Sequence, residues 1–381
     1  MAEGPRILIA GAGIGGLALA QALRHGGLDV AVYERDPTPL TRGQGYRLHI
    51  DPNGNAALRS CLPARVLDRI RRTSGVNGDL VAAYTPRLER VTIQIFPGIT
   101  ADEITHVDRE TFRKGLLTGL TDVVRFGRTV TGYRITGSGR VRVEFADGGS
   151  DEGDLLIGAD GVGSAVRRQL LPHATVRDVG LRCIYGRMPI DAGTESLVPE
   201  DFHRGFCWVA DDDGYGAGFA PVRFRFRPPG ASDYLMTTLV ATSRRLGLSD
   251  EELFGLSPVQ LWQIAVRATE SWHPVLRQLL AHADPDTFFP IVIRAGERLD
   301  PWPSGPVTLL GDAIHTMPPT GGVGANTALQ DAATLSGALL AAARGGTSLT
   351  EAVAAYERVM LPRGFDTVEN SLRMAGQMFA H

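Results

Sequence analysis

The residues best placed to do chemistry lie in glycine-rich stretches that also carry acids. In GAGIGG, the spacing of Gly11, Gly13 and Gly16 lets the first permit a tight bend, the second bring backbone close to a pyrophosphate, and the third pack helix on strand. Ile14 and Gly15 belong to the same turn, and the helix that starts there favours an anionic phosphate at its N-terminus. Glu34, followed by Arg35, comes about 20 residues later, where a carboxylate accepts hydrogen bonds from a ribose diol. This unit predicts dinucleotide binding, against the plainer reading of a structural glycine turn. Which dinucleotide stays open, because NAD and FAD share the ADP half that the unit would hold.

Two further stretches resemble the first in design: GADGVGSAVR over 158–167 and GDAIHTMPPTGGVGAN over 311–326. Each follows an apolar run fit for a buried strand and leads into a helix. In an open α/β sheet that places both at the carboxyl edge, where ligands bind. The three stretches therefore converge on one extended ligand. His315, inside the third, is read as a buried structural histidine.

The elements that must position these residues follow from periodicity. Strands are expected over 6–10, 28–33, 46–50, 124–126, 141–145, 155–158 and 307–310, with a hairpin from 80–84 and 91–96. Asp108 reads as the N-cap of a helix whose apolar residues Phe112, Leu116, Leu117 and Leu120 recur at helical spacing. Between 176 and 292 the composition turns sheet-like, with strands over 207–210, 214–221 and 234–241. In RFRFR (223–227) the alternation predicts a strand with Phe224 and Phe226 on one face. Helices are expected over 257–269, 272–282 and 326–343, and then in a tail over 349–379 broken near Pro362.

Length and composition bound the rest. The 381 residues suffice for two or three domains of about 150 residues each, and 43% hydrophobic content suits a large core. A formal net charge of -3 gives no electrostatic footprint for nucleic acid or an anionic membrane, and neither partner is expected. Cys61, Cys183 and Cys207 stand far apart without a CxxC, so no metal site and no disulfide framework is expected. No apolar run reaches membrane-spanning length and no signal segment is evident, which makes a cytoplasmic protein the expectation.

Together the three stretches, in this order and spacing, resemble the dinucleotide, DG and GD motifs of the single-component FAD-dependent aromatic hydroxylases. These are the para-hydroxybenzoate hydroxylase-like flavin monooxygenases, and the resemblance covers essentially the whole chain. In length and tail the chain is similar to the tetracycline-inactivating and antibiotic-tailoring members. The resemblance implies an α/β fold: a Rossmann-like FAD-binding domain (1–75, 104–175 and 288–345), an inserted sheet-based substrate domain (76–103 and 176–287), and a C-terminal helical tail (346–381). It implies that Gly11, Gly13, Ile14, Gly15, Gly16, Glu34 and Arg35 hold the ADP half of non-covalent FAD. Arg109 would reach its phosphate or ribityl region, Asp160 would serve both FAD and a nicotinamide visitor, and Asp312, preceded by Gly311, would serve the ribityl chain or its neighbouring ribose. Pro319, Gly322, Gly324, Ala325 and Asn326 would pass the isoalloxazine ring. Ser164 and Arg167 complete the DG motif. Thr320 stands where many relatives carry phenylalanine, which implies a smaller and more polar wall at the reacting carbon.

The activity so implied is a monooxygenase. NADPH or NADH, as a transient reductant, reduces FAD, O2 forms a C4a-hydroperoxyflavin, and one oxygen atom passes to an aromatic or polycyclic small molecule of polyketide or antibiotic type. Tyr185, Trp208, Phe219, Phe224, Met236, Thr320 and Met374 are the candidate substrate contacts, against a plain core role for each. No catalytic side chain is required, because the redox chemistry is the cofactor's. A monomer is expected. The rival readings are a flavin oxidase or desaturase releasing H2O2, and a non-catalytic FAD-containing ligand-binding protein. A flavin-dependent halogenase is disfavoured, because the only lysine, Lys114, follows Arg109 in its helix and no WxWxIP motif is present.

Overall fold

The computed structural model describes residues 4–39 and 46–378. Its strands, in chain order, are β1 (Arg6–Ala10), β2 (Asp29–Glu34), β3 (Arg47–His49), β4 (Leu80–Tyr84), β5 (Arg90–Ile95), β6 (His106–Asp108), β7 (Val124–Phe126), β8 (Val130–Ile135) and β9 (Val141–Phe145). These are followed by β10 (Ser150–Gly153), β11 (Leu155–Gly158), β12 (Val176–Pro189), β13 (Gly205–Ala210), β14 (Tyr215–Val222), β15 (Tyr234–Thr242), β16 (Asp284–Gly296) and β17 (Val307–Leu309).

The five strands ordered β17-β11-β1-β2-β7 run parallel throughout. Parallel strands covered on both faces read as unbroken apolar runs, and Ile7, Leu8 and Ile9 are fully buried as that requires. Because the strands point one way, the residues that follow β1, β11 and β17 emerge at one edge. Helix Ile14–His25 starts directly after the first glycine turn, and its inner residues Leu17 to Leu23 are buried.

The second large sheet has the order β16-β12-β15-β14-β13-β4-β5. Alternation along its strands sends side chains to two different cores. Ile184, Met188, Phe219, Leu235 and Leu239 pack with Leu261, Leu276, Leu279 and Leu280 of helices Pro258–Ala268 and Pro274–Ala281. Cys183, Tyr185, Ala220, Val222, Tyr234 and Met236 pack on the opposite side, with Ala375 of the tail. The ribbon β3–β6 lies against β14 on that second side.

Several expectations need correction. The RFRFR segment is not a strand: Phe224 makes only an isolated bridge with Gly75 and is buried, whereas Phe226 is 59% exposed, so the two do not share a face. The tail is one helix, Leu349–Met378, with Pro362 inside it. Proline in a helix interior costs about 3 kcal/mol, but Tyr356, Met360, Leu361, Phe365 and Val368 are buried on both sides of it, and that burial offsets the loss. Strand β16 was not anticipated. It pairs with β12 up to Gly296, so the expected division at 287/288 cuts through a continuous strand of the large sheet. Strands β8 and β10 were also missed. Residues 42–45, expected to lead into the strand over 46–50, and Phe379 lie outside the described residues. Among the described residues no helix is long and apolar enough to cross a membrane.

Candidate functional site

The three glycine-bearing stretches meet at the carboxyl edge of the parallel sheet. Gly11 has φ of +104°, and a Cβ there would lie 2.3 Å from the carbonyl oxygen of Ala159, so only glycine lets the first stretch touch the second. A Cβ on Gly16 would lie 2.2 Å from the carbonyl oxygen of Gly11. Gly15 abuts Leu310 and Ala328, and Gly311 abuts Ala328, which brings the third stretch onto the first. Arg167 ties the second to the third. Its guanidinium is buried and donates to the carbonyls of Ala313 (2.8 Å) and Val162 (2.8 Å).

Gly13 differs from its neighbours. A Cβ there would meet nothing within 4 Å, and it caps helix Ile14–His25 with no side-chain acceptor and no acid in the first turn. Helix Gly324–Ala343, which begins with Gly324, Ala325 and Asn326, likewise has neither a side-chain cap nor an acid in its first turn. Two helix N-termini without protein acceptors leave donors and partial positive charge for an anionic or carbonyl-bearing ligand. Asp160 accepts from the amide of Ala165 (2.7 Å) through Oδ2, while its buried Oδ1 has no partner. A buried acceptor without a donor calls for a ligand group or water. These features fit a dinucleotide laid along the sheet edge.

Glu34 is held beside the turn, with Oε2 accepting from the amide of Ala12 (2.9 Å) and Oε1 from that of Asp36 (3.0 Å). Arg113 braces both, donating from Nε to the carbonyl of Ala12 (2.9 Å) and lying 3.4 Å from Glu34 Oε2. Arg35 is exposed at the end of β2. Arg109 is half-buried; its backbone amide donates to the Tyr46 carbonyl, and its guanidinium sits 5.6 Å from the centre of the Tyr46 ring. Asp312 is exposed at the sheet edge. Partial loss of water raises its carboxyl above the usual range against the pull of His315 and Arg109, so Arg109 and Asp312 are electrostatic neighbours.

The loop around Pro319 and Gly322 is fastened from two sides. Asn326 Nδ2 donates to the carbonyls of His49 and Gly322 (both 3.0 Å), and its Oδ1 accepts from the amide of Asp51 (3.0 Å). Thr320 does not turn its hydroxyl toward the cleft; it donates to the carbonyl of Ser371 in the tail helix (2.6 Å), which corrects the expectation of a polar wall there. Met374 is 43% exposed and lies beside Gly321.

The proposed substrate contacts separate. Tyr185 stacks on Tyr46 (ring centres 4.9 Å apart) and on Phe289 (5.6 Å), and with Phe224 and Met236 belongs to the sheet face that packs with Ala375 of the tail, the face toward the glycine-bearing edge in the reading below. Trp208 lies on that face over Gly216, whose Cβ would fall 2.2 Å from the indole. Phe219 does not join them. It is fully buried on the far face, 5.4 Å from the ring centre of Phe202, because β14 alternates and its odd-numbered residues point away from the cleft.

Sequence reasoning missed Asp331. Fully buried, it accepts from Gly311 N (3.0 Å), His315 Nε2 (2.5 Å) and Arg363 (2.8 Å), and so fixes the start of the third stretch to two helices. An acid on the apolar stripe of helix Gly324–Ala343 was the available signal. Asp108 caps helix Arg109–Leu116 at Thr111 as expected, but its long-range contacts were not legible: it also accepts from the Tyr234 hydroxyl (3.0 Å), with Arg187 at 3.6 Å.

Comparison with known proteins adds to this geometry. A family model described as a FAD binding domain matches residues 267–371, and one described as an NAD(P)-binding Rossmann-like domain matches 9–62. The chain is 32% identical to 3-amino-4-hydroxybenzoate 2-monooxygenase of Streptomyces cremeus over 97% of this chain and 86% of that one. It is 34% identical to a dual O-methyltransferase/FAD-dependent monooxygenase of Phaeosphaeria nodorum, over 86% of this chain and 39% of that one. The chain spans less than half the length of the dual-function relatives it matches. Among solved structures, HpxO of Klebsiella pneumoniae in complex with FAD and uric acid superposes with a TM-score of 0.80 at 26% identity, covering 98% of this chain and 89% of that one.

Proposed function

Since this chain belongs to the FAD-dependent monooxygenases, we propose that it uses NADPH or NADH to insert one oxygen atom of O2 into an electron-rich aromatic or polycyclic small molecule. The observation that carries this reading is the convergence of the three stretches at one sheet edge, facing an aromatic sheet surface. The first helix N-terminus and Glu34 would hold the ADP half of FAD. Asp160, Asp312 and Arg109 would hold its middle, and the start of helix Gly324–Ala343 would hold the ring. FAD bound there supplies electron transfer and activation of O2. The chain's own groups position and enclose. Tyr46, Tyr185 and Phe289 pack ring to ring and would form an aromatic wall for a flat ligand. The segments that build the parallel sheet thus serve the cofactor, and the large sheet serves the substrate, in a cytoplasmic monomer.

Two relatives support an aromatic substrate, since by name they act on 3-amino-4-hydroxybenzoate and 6-hydroxynicotinate. The reading is tested by incubating the FAD-loaded protein with NAD(P)H, ¹⁸O₂ and a panel of phenols and polycyclic ketones. One labelled oxygen in product per NAD(P)H consumed is expected. Peroxide formed in equal amount to NAD(P)H with every compound would replace it with an oxidase, and failure of any reductant to bleach the flavin would leave a binding protein.

A further inference from the structure

Arg47 is a part-buried arginine with no acid paired to it among the described residues. It lies on β3, opposite Asp108 of β6, on the ribbon face that looks into the space above β14. Its Nε is buried and donates to nothing, and among the described residues no carboxylate pairs with its guanidinium. Asp108, its cross-strand neighbour, is committed to Thr111, Tyr234 and Arg187. His49 and His106, which share the face, are kept neutral by burial and by the charge of Arg47 itself. Burial draws the Arg47 guanidinium down to about 10, so it remains a cation at neutral pH. Taking part of a cation out of water without a counter-charge is costly, and an anionic ligand would complete the pair.

Its surroundings restrict that ligand. Tyr46, the preceding residue, packs with both Tyr185 and Phe289 in one aromatic cluster, and Tyr234, on the same sheet face, is the ionisable group that acts on Arg47. A flat ring against the stack, carrying one anionic oxygen, matches both features. An arginine fork recognises a carboxylate by two parallel hydrogen bonds and a phenolate by one.

Resting on the monooxygenase reading above, we infer that Arg47 is the specificity-determining residue of the substrate site, binding an anionic oxygen, carboxylate or phenolate, on the aromatic substrate. The phosphate of a nicotinamide dinucleotide offers a similar anion from another source, and the test separates the two. Oxidised FAD-loaded protein is titrated with 2-naphthoate, with the isosteric 2-naphthamide and with NADP+, following the visible flavin absorbance. No reductant is present, so the outcome is independent of whether the protein monooxygenates. The naphthoate is expected to bind about tenfold or more tighter than the amide. In Arg47→Met that ratio falls to about twofold or less, and in Arg47→Lys it stays near about threefold, while FAD affinity holds within about threefold. Equal affinities in the wild-type protein, or no binding of either naphthyl compound, overturn the assignment. So does a preference that survives Arg47→Met, or a loss in that variant confined to NADP+ or FAD.

Discussion

His315 Nε2 and Asp331 Oδ2 lie 2.5 Å apart, with both side chains fully buried. Burial alone would lower the His315 pKa, but the Asp331 charge and hydrogen bond reverse that and raise it. Burial alone would raise Asp331, and His315, Arg363 and the Gly311 amide instead hold it low.

A raised histidine stabilises the fold fully below its unfolded value of about 6.5, and that contribution is lost as pH rises through the folded value. A depressed aspartate contributes above about 3.9 and is lost as pH falls through its folded value. The melting temperature of the wild-type protein should therefore exceed that of His315→Asn by most on the acid side of neutrality, with the gap narrowing toward pH 9. Asp331→Asn should cost about 3–5 kcal/mol in urea unfolding, because it leaves buried Arg363 and His315 groups without their anion. A loss under about 1 kcal/mol would show that the network is not coupled to the fold.

Gly13 and Gly16 should fail in different ways. Gly13→Ala has open space, so the apo protein should melt within about 2 °C of wild type while FAD affinity falls about tenfold or more. Gly16→Ala meets the Gly11 carbonyl and should lower apo stability by about 2 kcal/mol or more. Calorimetry of apo proteins and FAD titration by fluorescence check both; normal FAD affinity in Gly13→Ala would remove that turn from the cofactor site.

Phe219 and Tyr185 lie on opposite faces of one sheet. Phe219→Ala should cost about 3–5 kcal/mol of stability and leave the affinity of naphthyl ligands within about twofold. Tyr185→Ala should weaken such ligands about fivefold or more by removing one ring of the Tyr46–Tyr185–Phe289 cluster. Equal effects on binding would place the ligand elsewhere.

The three thiols should be unreactive in the folded protein. All are buried, and burial pushes Cys61 and Cys207 up to about 12 and Cys183 higher still. Ellman's reagent at pH 8 should release no chromophore from native protein and three equivalents after unfolding in guanidinium. Prompt reaction of one thiol would show that its site opens at low cost.

Pro362 interrupts the hydrogen-bond ladder of the tail helix without ending it. Pro362→Ala should raise stability by about 2–2.5 kcal/mol, the helix-propensity gain less the entropy returned to the unfolded chain. Chemical denaturation measures this directly, and a loss on substitution would mean that the proline ring itself is packed.

What the sequence determined by itself is the cofactor edge. GAGIGG, Glu34 and the two later stretches carry their meaning in local spacing, because a tight turn, a close backbone approach and a helix N-terminus are made by residues a few positions apart. The apolar runs β1, β11 and β17 showed as buried parallel strands for the same reason. Only the tertiary structure decided which aromatics face the cleft. Strand period assigns Phe219 and Met236 to opposite faces only once register is set, and register depends on β12, β14 and β15 pairing across long stretches of chain. It likewise decided that Asp331 holds Gly311 and His315, that Thr320 serves the tail, and that Arg47 lies part-buried with no acid paired to it among the described residues. Each depends on which distant group arrives beside a side chain, and packing of the whole core settles that where short-range propensity does not.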